Sequence, residues 1–173
     1  MGDNVVLFHS THGNLAGSGT AIDVTSIGLG RKAMALQTGI DGSTLLSIYP
    51  TYLIVPENKR VIAEQFISGA LFPATQDTII PQSLSRLQVI SEPRLDVGVT
   101  FNGTTYSGSS TAWYLASTPA QIDTIEVAYL EGNRGVYTET RVGFDVDGIE
   151  VKARLDVGAK VIDWRGFYKN TGA

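Results

Sequence analysis

The chain of 173 residues contains no cysteine. That removes disulfides, thiolate metal ligands and cysteine nucleophiles together, and it fits folding in a reducing compartment. Histidine is nearly absent too, with only His9 and His12. Charge is sparse: 17% of residues are Asp, Glu, Lys or Arg, the net charge is −4 and the mean hydropathy is +0.06. Basic residues never cluster beyond the pairs Arg31-Lys32 and Lys59-Arg60. An acidic chain without a basic stripe is a poor binder of phosphate backbones, so specific nucleic-acid binding is not expected. No apolar run approaches the roughly 20 residues of a membrane span. The opening Met1-Gly2-Asp3-Asn4 has no basic n-region, and Val5 to Phe8 is too short for a signal peptide, so export is not expected.

What is present is a hydrophobic share of 43%, 19 glycines and no internal repeat. The length suits one domain, or one domain with a lobe, with a real core. So low a charge fits a chain part of whose surface is covered by other subunits.

Along the chain, the polar segment His9 to Gly19 reads as turns. A helix capped by Thr25 or Ser26 is expected, with Leu29, Ala33 and Leu36 at helical spacing, ended by Gly39 and Asp41-Gly42. Ser43 to Val55, interrupted by Pro50, reads as two short strands or one kinked strand. Pro56 stands where a helix can begin, and Ala63, Ile67 and Ala70 share a face beyond it. Leu71 to Ser85 reads as a loop and Leu87 to Ile90 as a strand. Asn102-Gly103 signals a hairpin within Gly98 to Ser110. Thr111 to Leu115 and Thr124 to Leu130 read as strands. Asp147-Gly148 signals a second hairpin, between Val142 to Val146 and a strand beginning at Ile149. Ile149, Val151, Ala153, Leu155, Val157, Ala159 and Val161 are apolar at alternate positions, which predicts one long C-terminal strand with one buried face. The fold class expected is α+β, with few helices and many strands.

Motifs for chemistry are weak. His9 and His12 could ligate a metal, but their Ser-Thr spacer favours a turn and no nearby acid completes a site. A serine nucleophile served by these histidines with Asp3 or Asp23 would want a Gly-x-Ser-x-Gly elbow, which is missing. Gly28-Leu29-Gly30 with Ala33 matches a relaxed dinucleotide fingerprint but follows no clean strand. Asp145 and Asp147, or Glu139 with Asp145, are acid pairs that turn chemistry explains. No catalytic residue, cofactor or metal is therefore expected. Trp113-Tyr114 and the run from Trp164 to Tyr168 are aromatic-rich, and such residues anchor subunit contacts. The interface candidates are Trp164, Arg165, Phe167, Tyr168 and Trp113.

Several strings resemble one family in order along the chain. Leu7 to Ala16 resembles the "LFHxxHGNLA" stretch of tailed-bacteriophage major capsid proteins of the Mu-like group, often encoded as a fusion with the prohead protease. Tyr52 to Pro56 is similar to their "YLLVP". Trp113 to Leu115 and Ile122 to Gly132 resemble "WYL" and "IDTIEYAYLEG". Gly143 to Gly148 and Asp163 to Asn170 resemble "GFDVDG" and "DWRGLYKN".

The resemblance implies a Hong Kong 97-type capsid fold, an axial domain plus part of a peripheral domain. It implies a structural shell subunit in an icosahedral virion, made in the bacterial cytoplasm. Its partners would be other copies of itself, with scaffold or portal proteins, and neither a membrane nor specific nucleic acid. On that scheme residues 1–51 are a peripheral part with the spine helix over Thr25 to Thr38, 52–128 are axial, and 129–173 return to the peripheral domain. The family's N-terminal arm and extended loop precede the "LFHxxHGN" stretch, so the resemblance implies a C-terminal portion, without the protease. The alternatives are an encapsulin-like compartment shell, which shares the fold but not these strings, and a small hydrolase using His9 or His12.

Overall fold

The computed structural model describes residues 2–68, 81–132, 134–143 and 147–173. The chain divides into two compact units, Met1–Thr124 with Asp163–Ala173, and Ile125–Ile162.

The larger unit is built on a four-stranded mixed sheet of order β10-β5-β1-β2, formed by β1 (Tyr52–Val55), β2 (Gln88–Ser91), β5 (Trp113–Ala116) and β10 (Phe167–Asn170). β1 and β2 run parallel; β5 is antiparallel to both β1 and β10. The connection from β1 to β2 includes α2 (Arg60–Ser68) and the short α3 (Gln82–Ser85). Central β1 and β5 are apolar and deeply buried at Leu53, Val55, Trp113 and Leu115. Pro56 stands at the start of the helical segment, as its fixed φ allows: a 3-10 turn over Glu57–Lys59 leads into α2, whose Ala63 enters the core. Ala70, expected on the same face, lies outside the described residues, as do 71–80 of the expected loop.

Helix α1 (Val24–Ala35) is capped by Asp23, whose carboxylate accepts from the Ser26 amide while Ser26 Oγ accepts from the Asp23 amide. The expected cap was two or three residues late, and of the three residues expected at helical spacing only Ala33 packs on the core. Leu29 and Leu36 are exposed, whereas Ile27, Gly30 and Met34 are buried. The reason is steric. A Cβ on Gly30 would lie 2.8 Å from Leu115 Cδ1 and from Tyr168 Cδ1, so the glycine is where the helix rests on the sheet. At 12 residues α1 is shorter than the expected stretch to Thr38. It packs on β10, so residues before 51 belong to the same unit as β1 and β5. The two compact units divide at 124/125 and 162/163.

Of Ser43 to Val55 only β1 is a strand; Leu45 makes a single bridge to Thr38. The Asn102-Gly103 hairpin forms as expected, joining β3 (Val99–Phe101) to β4 (Thr104–Tyr106) with positive φ at both turn residues, 48° and 76°. It follows the one-turn helix α4 (Arg94–Val97).

The smaller unit is a two-stranded antiparallel ribbon in two stretches. β6 (Ile125–Tyr129) pairs with β9 (Val157–Val161), and β7 (Tyr137–Val142) pairs with β8 (Ile149–Arg154). The expected long strand from Ile149 to Val161 is therefore interrupted at Leu155-Asp156, where the Leu130 amide reaches Asp156 O. Val142 ends β7 and residues 144–146 lie outside the described set; the turn closes with the Gly143 amide donating to Gly148 O. The expected buried face is also corrected: all residues of β6, β7 and β8 are exposed.

Candidate subunit-contact surfaces

The five interface candidates separate into two groups. Trp113 is 1% exposed, and its indole Nε1 donates to Thr20 O at 3.0 Å. Tyr168 is buried beside it, the ring centroids 6.3 Å apart. Strand alternation turns both inward, so these two side chains serve the core of this chain and present almost no surface. Burial also pushes the Tyr168 and Tyr114 phenols above their ordinary pKa. Phe167 is half-buried, with its ring edge-on to Phe8 at 6.3 Å.

Trp164 and Arg165 are half-buried in a clasp that the sequence did not reveal. The ring of His12 stacks on Trp164 at 4.2 Å and 12°, and the Arg165 guanidinium sits 4.4 Å from the Trp164 ring centre. Arg165 Nε donates to Thr38 O at 2.7 Å and Nη1 pairs with Asp163 at 3.0 Å. Gln37 Nε2 donates to His12 O at 2.8 Å. Asn14 is fully buried: its amide nitrogen donates to Leu7 O at 2.9 Å and toward Trp164 O at 3.4 Å, and its Oδ1 accepts from the His9 amide at 3.1 Å. The Lys169 amide donates to Asn14 O, and the Ala16 amide to Lys169 O, which bind this segment along β10. The expectation that His9 and His12 are polar loop residues holds for half-buried His9 but not for His12, which the Trp164 ring covers. Two strings 150 residues apart, around Asn14 and around Trp164, thus form one structure.

Asn14→Ala leaves the His9 amide without its side-chain acceptor and the Leu7 carbonyl with His12 as its remaining partner. A stability loss of about 2 kcal/mol in chemical denaturation is the expected outcome.

Among the described residues no group of three His, Cys, Asp or Glu side chains is placed to hold a metal ion. Gly28 and Gly30 lie inside α1 rather than in a loop, so they build no phosphate cradle.

The exposed apolar surface lies elsewhere. In the ribbon, Ile125, Val127 and Tyr129 face Val161, Ala159 and Val157, and Thr140 and Val142 face Val151 and Ile149. Val151 is 67% exposed and Ile149 72%. The other side of β7–β8 is charged and internally matched, with Arg141 on Glu150 at 2.7 Å, Lys152 near Glu139 at 3.7 Å and Arg154 over the Tyr137 ring. In the larger unit, the β3–β4 hairpin exposes Val99, Phe101 and Tyr106. Beside it a recess of about 420 Å³ is lined by Arg94, Tyr106, Tyr114 and Lys169 among others.

A crystal structure of a phage-related protein from Bordetella bronchiseptica RB50 superposes with a TM-score of 0.57 at 11% identity. The match covers 95% of this chain and 57% of the Bordetella chain, a likeness of fold. No curated protein matches. A family model described as phage capsid protein matches residues 2–170. With nearly the whole chain inside that match, the protein belongs to the phage capsid protein family.

Proposed function

We propose that the chain is a structural head protein of a Mu-like phage or prophage, a subunit of a homo-oligomeric icosahedral shell with a Hong Kong 97-type fold. On this reading it resides in the virion after synthesis in the bacterial cytoplasm, contacts mainly other copies of itself, meets scaffold or portal proteins, and catalyses nothing. On the same reading residues 1–51, with α1 in the spine helix, are a peripheral-domain part, 52–128 the axial-domain part, and 129–173 the return to the peripheral domain.

The ribbon carries the proposal. A two-stranded antiparallel pair exposed on both sides is marginal in water by itself. Here one side of each stretch is a row of Val, Ile and Tyr left uncovered within the described chain. Uncovered apolar rows of this extent mark a surface meant for assembly. The half-buried Trp164, Arg165 and Phe167 and the β3–β4 hairpin are further contact candidates.

Sedimentation velocity and electron microscopy test this on the purified protein, alone and coexpressed with the other head proteins of its genome. Rings or shells are expected. A protein that stays monomeric in both settings, at every salt concentration, contradicts it.

A further inference from the structure

The clasp around His12 has an unusual hydrogen-bond demand. Its Nδ1 lies 3.1 Å from Leu7 O, and its Nε2 lies 2.7 Å from Asp3 Oδ2. A carbonyl oxygen can only accept. The Asp3 carboxyl, which also accepts from the Val5 amide, is held below its ordinary pKa chiefly by the His12 hydrogen bond, so it too stands as an acceptor. Two acceptors facing the two ring nitrogens require two N–H donors. A neutral imidazole supplies one and would set its remaining lone pair against an oxygen lone pair; an imidazolium supplies both.

We propose that His12 is held as the imidazolium in a proton-linked clasp that fastens the N-terminal segment, Asp3 to Asn14, to the Trp164-Arg165 turn. The surroundings suit a cation. The His12 side chain is 4% exposed, paired with Asp3 and stacked on the electron-rich face of Trp164. The other charges nearby are accounted for. Arg165, also against Trp164, is neutralised by Asp163, while His9 lies 6.3 Å away by ring centroid and engages Thr11 instead. Gln37, which reaches His12 O from beyond α1, is neutral.

The sign of the pH effect follows. The pair needs Asp3 ionised and His12 doubly protonated. On the acid side the clasp is lost as pH falls through the lowered Asp3 value. The N-terminal segment then loosens from Trp164.

Histidine side-chain nitrogen NMR together with amide hydrogen exchange tests this across a pH series on the whole protein. Both His12 nitrogens are expected to carry hydrogens while the His9 and Gly13 amides are protected. Acidification through the Asp3 range should bring on the order of tenfold loss of that protection. Asp3→Asn should abolish this acid-side loss, and His9→Gln should leave it intact. A clasped state with one bare His12 nitrogen overturns the proposal. So does acidification through the Asp3 range without change in protection, or an Asp3→Asn protein that loses protection on acidification as the wild type does.

Discussion

Replacing Trp113 by alanine lowers the stability of the larger unit by about 3–5 kcal/mol, the usual cost of emptying a large aromatic site in a packed core. The side chain sits in β5, between β1 and β10, and is 1% exposed. Its loss removes the contact with Tyr168 and leaves Thr20 O without the indole donor. A drop in melting temperature on the order of 10 °C is the corresponding thermal signal for a chain of this size. Trp113→Phe keeps most of the apolar volume and orphans only the Thr20 carbonyl, so it costs about 1–2 kcal/mol. Trp164→Ala, at a half-buried ring, falls between these and leaves the sheet intact. The series separates a core role from a contact role. A Trp113→Ala protein with wild-type stability but impaired assembly would return Trp113 to the interface.

That residue also shows where sequence reading stops. An aromatic pair such as Trp113-Tyr114 is compatible with a contact patch or a core, and only the strand's place inside a four-stranded sheet decides between them. Local chemistry was legible where one residue type dictates geometry. Asn102-Gly103 made its hairpin and Pro56 opened the helical segment, whereas the two-residue turn expected at Asp147-Gly148 did not form, since Val142 rather than Val146 pairs with Ile149. The buried face of α1 was not legible, because Gly30 marks it through a close approach to Leu115 and Tyr168, which no periodicity of large apolar residues records. Edge strand β10 was missed because Phe167 to Asn170 is short and mixed, and it is a strand only through pairing with β5 across more than 50 residues. The clasp was invisible for the same reason. His12, Asn14 and Trp164 carry no spacing that announces a contact between the two ends of the chain.

The strict alternation from Ile149 to Val161 was read correctly as an apolar row, and the error was to bury it within this chain. Its exposure leads to the second large effect. In the double variant Val127→Glu/Val151→Glu, shell formation is lost while the sheet unit keeps its stability within about 0.5 kcal/mol. Both positions are more than half exposed, at 52% and 67%, so a carboxylate there remains hydrated in the isolated chain. The cross-strand partners, Ala159 and Thr140, carry no charge and raise no local repulsion. Once the row is covered by another surface, each carboxylate must give up its water without a counter-charge, at several kcal/mol apiece, and the penalty recurs in every copy of the assembly. The control lies on the opposite side of the ribbon. Exchanging one exposed pair as Glu139→Lys/Lys152→Glu preserves both the charge and the pairing, and an exposed ion pair is worth at most about 1 kcal/mol, so particles should form as before. Particle yield by sedimentation, with denaturation of the unassembled protein alongside, measures both halves. If the glutamate variant assembles like the wild type, the apolar row is not the contact surface, and the ribbon no longer supports the shell reading.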